Sequence, residues 1–96
     1  MPAYITLGNF TDQGARTIKD SPDRYEAFKA LAEGAGVTIK SVHWTTGAYD
    51  MVLVSEGPED ALMTLNMKMA ALGNVRTQTL RGFSLAEMRK LVTALK

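Results

Sequence analysis

The sequence predicts an α+β domain: a four-stranded antiparallel sheet with two helices on one face and an added helix at the C-terminal end. Three observations lead there. Segments with a period-two apolar pattern and segments with helical apolar spacing follow in the order β-α-β-β-α-β. The first and third strand segments are the most apolar, and the second and fourth are mixed. Hydrophobic residues make up 46% and charged residues 22% of the 96 residues, the balance of one globular core over the span 1–96.

The elements follow in order. Ala3, Ile5 and Leu7 alternate with Tyr4 and Thr6 as a first strand, ended by Gly8 and Asn9. Thr11 and Asp12 cap a short helix to about Lys19. Pro22 disfavours helix at Ser21 and breaks the chain there. The same residues restart it, with Ser21 as N-cap, Pro22 at the first helical position and Asp23 in the first turn. Tyr25, Phe28, Leu31, Ala32 and Ala35 form one buried stripe, closed by Gly34 and Gly36. A second strand runs from Val37 to about Thr45. Val37 and Ile39 share one face while Val42 and Trp44 share the other. Either both faces are partly covered, or a bulge near Lys40 and Ser41 switches the register.

After the Thr46-Gly47-Ala48 turn, Tyr49 to Ser55 forms a third strand that is apolar on both faces at its centre. That pattern suits the middle of a sheet covered on each side. Gly57-Pro58-Glu59-Asp60 opens a helix with the stripe Ala61, Leu62, Leu65, Met69 and Leu72, closed by Gly73 and Asn74. Met63 and Met67 fall off that stripe. Val75 to about Arg81 is a polar strand whose charges suit a sheet edge. Ser84-Leu85-Ala86-Glu87 is a capping box, and Leu85, Met88, Leu91, Val92 and Leu95 give the last helix an apolar face.

Two right-handed βαβ units in this order make a ferredoxin-like βαββαβ layer with the first and third strands central. Its two helices cover one face of the sheet, yet the third strand is apolar on both. The terminal helix folding back is one cover. The favoured cover is a second copy of the chain, a homodimer with sheets face to face and the terminal helix holding the partner. A higher homo-oligomer is an extension of the same arrangement.

Thr46-Gly47-Ala48-Tyr49-Asp50 followed by Met51-Val52-Leu53-Val54 resembles the G-x-Y-D signature of the GYD domain family. Gly73 to Arg81 resembles that family's closing strand, and Tyr4-Ile5-Thr6-Leu7 with Thr11 and Gly14 its opening segment. The matches span roughly residues 4 to 83. The resemblance implies a ferredoxin-like, dimeric α+β-barrel fold. It implies little about activity.

Composition excludes several chemistries. A net charge of +1 points to neither nucleic acid nor an anionic membrane as partner. Zero Cys and the single His43 exclude a thiolate nucleophile and a multi-histidine metal site within one subunit, so no metal and no cofactor are expected. The start of the chain has no targeting pattern, and a cytoplasmic location follows by default. Tyr49, Asp50 and His43 are the candidate catalytic residues. Tyr49 and Asp50 read as a phenol and a carboxylate lining a cavity between sheet and partner. The favoured alternative is a packed tyrosine and a turn-bonded acid or an acid paired with Arg76 or Arg81. His43 is a candidate base that needs an orienting partner. Trp44, Arg76 and Arg81 are candidate ligand-binding residues, with interface packing and edge protection as the alternatives.

The function expected is a small-ligand-binding or oligomerising homodimeric module. The alternatives are a cofactor-independent enzyme, monooxygenase- or isomerase-like, on a small apolar or aromatic compound, and a purely structural assembly protein.

Overall fold

The computed structural model describes residues 2–95; Met1 and Lys96, the outermost residues of the expected domain span, lie outside the described residues. The elements are β1 (Ala3–Phe10), α1 (Asp12–Arg16), a single 3-10 turn (Ile18–Asp20), α2 (Ser21–Gly34), β2 (Thr38–Trp44), β3 (Met51–Glu56), α3 (Glu59–Leu72), β4 (Val75–Gly82) and α4 (Leu85–Val92). All strands pair antiparallel in one sheet ordered β2-β3-β1-β4. The apolar strands β1 and β3 are central and the mixed strands are edges, the ferredoxin-like arrangement with a C-terminal helix.

The register of β2 shifts between Ile39 and Ser41, leaving Lys40 as the extra residue. Ile39, Val42 and Trp44 stand opposite Ser55, Leu53 and Met51, so the bulge brings all three onto the face that carries α2 and α3. Of the two readings open in the sequence, the bulge holds. The tight core lies under the far end of α2, where Ala32, Val37 and Leu65 are fully buried with Phe28, Ile39 and Ala61 against them.

Three local expectations are corrected. The helix expected from Thr11 to about Lys19 ends at Arg16, and the chain turns at Thr17 (φ −113°, ψ 33°) into the 3-10 turn. Thr17 is β-branched, its hydroxyl donates to the Gln13 carbonyl, and its own carbonyl accepts from Arg24. Ser21 is not the cap of α2: Asp20 holds that place without a side-chain bond, and the buried Ser21 hydroxyl accepts from Trp44 Nε1 at 3.0 Å. The stripe of α2 is only partly buried. Ala32 is enclosed, Tyr25 and Phe28 are half-buried, Leu31 is 45% exposed and Ala35 is open. At the end of α3, Leu72 is likewise open, 68% exposed.

The capping box at α4 forms as its sequence implies. Ser84 N–H donates to Glu87 Oε1 at 2.9 Å, and Glu87 N–H donates to Ser84 Oγ at 3.1 Å. Beyond that turn α4 makes at most marginal contact with the rest of the described chain. The radius of gyration is 14.7 Å over extents of 53 × 31 × 18 Å, against about 12.5 Å for a compact chain of this length. The terminal helix therefore does not fold back over the sheet.

The Ser84 backbone bond holds the Glu87 carboxyl below the usual carboxylate range, with the Ser84 hydroxyl and Arg81 adding to it. A depressed acid contributes stability fully above its unfolded value, about 4.3, and loses it as pH falls through the lower folded value. The first turn of α4 is expected to hold at pH 6 and to loosen in that acidic window. Amide chemical shifts of Ser84 and Glu87 against pH check this, and in Glu87→Gln the same resonances stay flat.

Candidate functional site

Side chains alternate along each strand, so the two faces of the sheet separate cleanly. Tyr4, Thr6 and Gly8 of β1 and Met51, Leu53 and Ser55 of β3 turn toward α2 and α3. Ile5, Leu7, Val52 and Val54 turn the other way. Ile5 stands opposite Val54 on one side and Leu80 on the other, and Leu7 opposite Val52, so these five form one continuous apolar strip. The first four are half-buried by their neighbours, and Leu80 is 42% exposed. Among the described residues no other element packs on that strip. Ser41 and His43 on β2 and Arg76 and Gln78 on β4 form its polar margins.

The second uncovered apolar surface is on α4 and the turn that follows it, where Leu85, Met88, Leu91, Val92 and Leu95 are all exposed. Arg81 spans the link to the sheet. Arg81 lies 4.3 Å from the Phe83 ring centre and 5.8 Å from that of Tyr4. It also donates to the Ala3 and Gly82 carbonyls and faces Glu87 at 3.8 Å. Tyr4 OH donates to Glu59 at 3.1 Å, and burial, then this bond and the Glu59 charge, push the phenol above its ordinary value.

On the helix side α2 and α3 stand apart over the sheet, leaving a cavity of about 240 Å³. Tyr25 and Phe28 of α2, Leu65 and Met69 of α3 and Met51 and Leu53 of β3 give it apolar walls. Its floor on β1 and β4 consists of the short residues Thr6, Gly8 and Thr77 together with Val75.

None of the candidate catalytic or ligand-binding residues read from the sequence lines this cavity. Asp50 is tied into the backbone: Oδ2 accepts from Phe10 N–H at 2.9 Å, its own N–H donates to the Gly8 carbonyl at 2.9 Å, and its carbonyl accepts from Thr45 N–H at 2.8 Å. These bonds join the end of β1 to the start of β3, and no arginine pairs with the acid among the described residues. Tyr49 OH donates to Gln78 Oε1 at 3.2 Å, and the Tyr49 carbonyl accepts from Thr45 Oγ1 at 2.5 Å. His43 is exposed, opposite Val52, with no side-chain hydrogen bond among the described residues. Trp44 is 43% exposed, bonds Ser21 and meets Tyr25 edge-on at 5.9 Å. Arg76 and Arg81 fall on opposite faces, as five residues apart on an unbroken strand requires. Tyr49, Asp50 and His43 make no hydrogen bond to one another.

Removing the Asp50 carboxylate leaves the Phe10 N–H without its acceptor. Asp50→Ala is expected to cost about 1–2 kcal/mol, with Tm falling about 4–8 °C per kcal/mol. Asp50→Asn, which keeps an acceptor oxygen, restores most of it. Thermal denaturation followed by circular dichroism reads the difference.

The residues that sequence reasoning missed are Thr6, Gly8, Arg24, Lys68 and Thr77. Their signal was present in part: Thr6 and Gly8 are the small residues on the helix-facing side of a strand otherwise rich in bulk. Among the described residues no group of three His, Cys, Asp or Glu could hold a metal ion, and no helix is long and apolar enough to cross a membrane.

Fold and surfaces together describe a ferredoxin-like domain with one covered and one uncovered sheet face. The chain belongs to the GYD domain family, whose model matches residues 4–92. The match runs through α4, beyond the residues that carry the resemblance in the sequence. A Thermus thermophilus protein named "Glutamine synthetase and cystathionine beta-lyase binding protein" is 33% identical over 90 residues, covering 92% of this chain and 95% of that protein.

Proposed function

We propose that this chain is a protein-binding assembly module that works as a homodimer, sheet face against sheet face, with α4 of each copy lying across the other. The observation that carries it is the pair of uncovered apolar surfaces on one chain, the strip Ile5-Leu7-Val52-Val54-Leu80 and the exposed face of α4. A two-fold axis lets each cover its counterpart, because an isologous interface supplies both surfaces twice. Full burial of each of the four α4 side chains Leu85, Met88, Leu91 and Val92 contributes about 1.5–3 kcal/mol. An eight-residue helix is about 12 Å long, enough to cross two or three strands at about 4.8 Å spacing. The name of the Thermus relative, a binding protein for two enzymes, supports the protein-binding half of this reading.

Sedimentation equilibrium tests the assembly. The wild-type chain is expected at twice its 10.5 kDa mass. Leu91→Glu, which changes an exposed side chain and leaves the protomer's core untouched, is expected at the single mass with an unchanged circular dichroism spectrum. A wild-type monomer at all concentrations overturns the dimer. Co-sedimentation with purified glutamine synthetase from the same cell tests the second half, and failure with both that enzyme and cystathionine β-lyase counts against those partners.

A further inference from the structure

We propose that the cavity between α2, α3 and the sheet is a binding site for a small apolar carboxylate, its chain against the walls and its carboxylate held between Arg24 and Lys68. The cavity is encoded by the sequence. Tyr25 and Phe28 hang over the sheet at helical spacing, but beneath them Thr6, Gly8 and Thr77 supply little bulk, and Val75 is the larger apolar chain among the β1 and β4 lining residues. Over Gly8 itself the space is taken by the Val75 side chain, whose Cγ1 a Cβ on Gly8 would meet at 3.1 Å, so the open volume lies beside it. About 240 Å³ is room for on the order of eight waters at ~30 Å³ each. Apolar walls give such waters few partners, so a short alkyl or aromatic chain fits better. Sites for drug-sized ligands run to about 300–1,000 Å³, so the ligand is smaller than those.

The charge of the lining selects the head group. Among the described lining residues Arg24 and Lys68 are charged, both positive, one from each helix, and no acid lines the cavity. Arg24 stands in the first turn of α2 and Lys68 in the second half of α3, and in this topology the two helices run antiparallel over the sheet. Arg24 donates to the Gly14 carbonyl at 3.4 Å and to Thr17, and Gly14 packs on Asn74, just beyond the last turns of α3 that carry Lys68. Those bonds hold the Arg24 guanidinium in place with donors to spare. Lys68 has no ion pair among the described residues. An apolar anion satisfies both cations and the walls at once. The site lies on the opposite face of the sheet from the proposed dimer interface, so it stands whether or not the chain pairs.

Octanoate and 1-octanol, alike in chain and different in charge, test the inference with the full-length protein. Trp44, the single tryptophan, touches Tyr25 of the cavity wall and reports occupancy by its emission. Octanoate is expected to shift that emission and raise Tm, binding about tenfold more tightly than octanol, the size of one charge-assisted bond. Lys68→Glu, at an exposed position, is expected to remove that preference while octanol binding stays. Thr77→Leu, which fills the floor, is expected to abolish both. Equal affinity for octanoate and octanol, no binding of either, or an unchanged preference in folded Lys68→Glu overturns the proposal.

Discussion

Replacing Val52 by Asp is expected to turn the proposed dimer into folded monomers. Val52 sits at the middle of the uncovered strip, on the central strand β3, with Leu7 on one side and His43 on the other. In a free protomer it is half-buried and open to water, so a carboxylate there stays hydrated, with His43 on the neighbouring strand as a partner. In a face-to-face pair the same carboxylate is sealed against the other sheet. A charge left unpaired in an interface costs about 3–5 kcal/mol, and two-fold symmetry places one from each copy. The Kd is therefore expected to rise by at least about 10²–10³-fold. Light scattering or sedimentation reads this directly, and Val54→Asp, flanked by Ile5 and Ser41, is expected to act alike. Met63→Asp on the outer side of α3 changes an equally apolar exposed residue and leaves the mass of the particle unchanged. A folded dimer carrying Asp at position 52 would remove the interface.

The strand order could be read from the chain because sheet position and apolarity have one cause. β1 and β3 have neighbours on both edges and little polar content, whereas Arg76, Gln78 and Arg81 belong where water reaches. The bulge at Lys40 was legible as a parity conflict between Ile39 and Val42. The cavity was not. The spacing of Tyr25, Phe28 and Leu31 says which side of α2 faces the sheet. The distance at which it stands depends on what rises from the strands beneath, and those residues lie on β1 and β4, far away in sequence. The course of α4 was hidden for a similar reason. Its capping box and apolar stripe define a helix and its sticky face, but only the Arg81–Phe83–Glu87 contacts aim it away from the sheet. Asp50 stood out as a possible chemical group, and the structure shows it tied to the backbone of β1, a link between residues forty apart that spacing alone does not reveal.

Gly14→Ala and Gly34→Ala are expected to move stability in opposite directions, although both replace a helical glycine. Alanine in a helix is favoured over glycine by about 0.5–1 kcal/mol when nothing obstructs the methyl group. At Gly34, in the last turn of α2, nothing lies within 4 Å of the added Cβ, so a gain of that order is expected. At Gly14 the added Cβ falls 2.0 Å from the Asn74 carbonyl oxygen and 2.9 Å from its carbon. That carbonyl cannot give way alone. It accepts from Thr11 N–H at 3.1 Å, while Thr11 Oγ1 donates to Gly73 O at 2.6 Å and Gln13 Nε2 to Leu72 O at 2.9 Å. Gly73 itself closes α3 in the left-handed region, at φ +80°. Relieving the overlap means lifting α1 off the α3–β4 turn and losing several of these bonds, each about 1 kcal/mol, on top of about 1–3 kcal/mol for overpacking. A net loss of about 3–4 kcal/mol is a large part of the ~5–15 kcal/mol that holds a domain together. Urea unfolding of the two variants decides it. The same displacement would carry away the Gly14 carbonyl that anchors Arg24, so folded Gly14→Ala is also expected to bind octanoate more weakly than the parent while its affinity for octanol changes less.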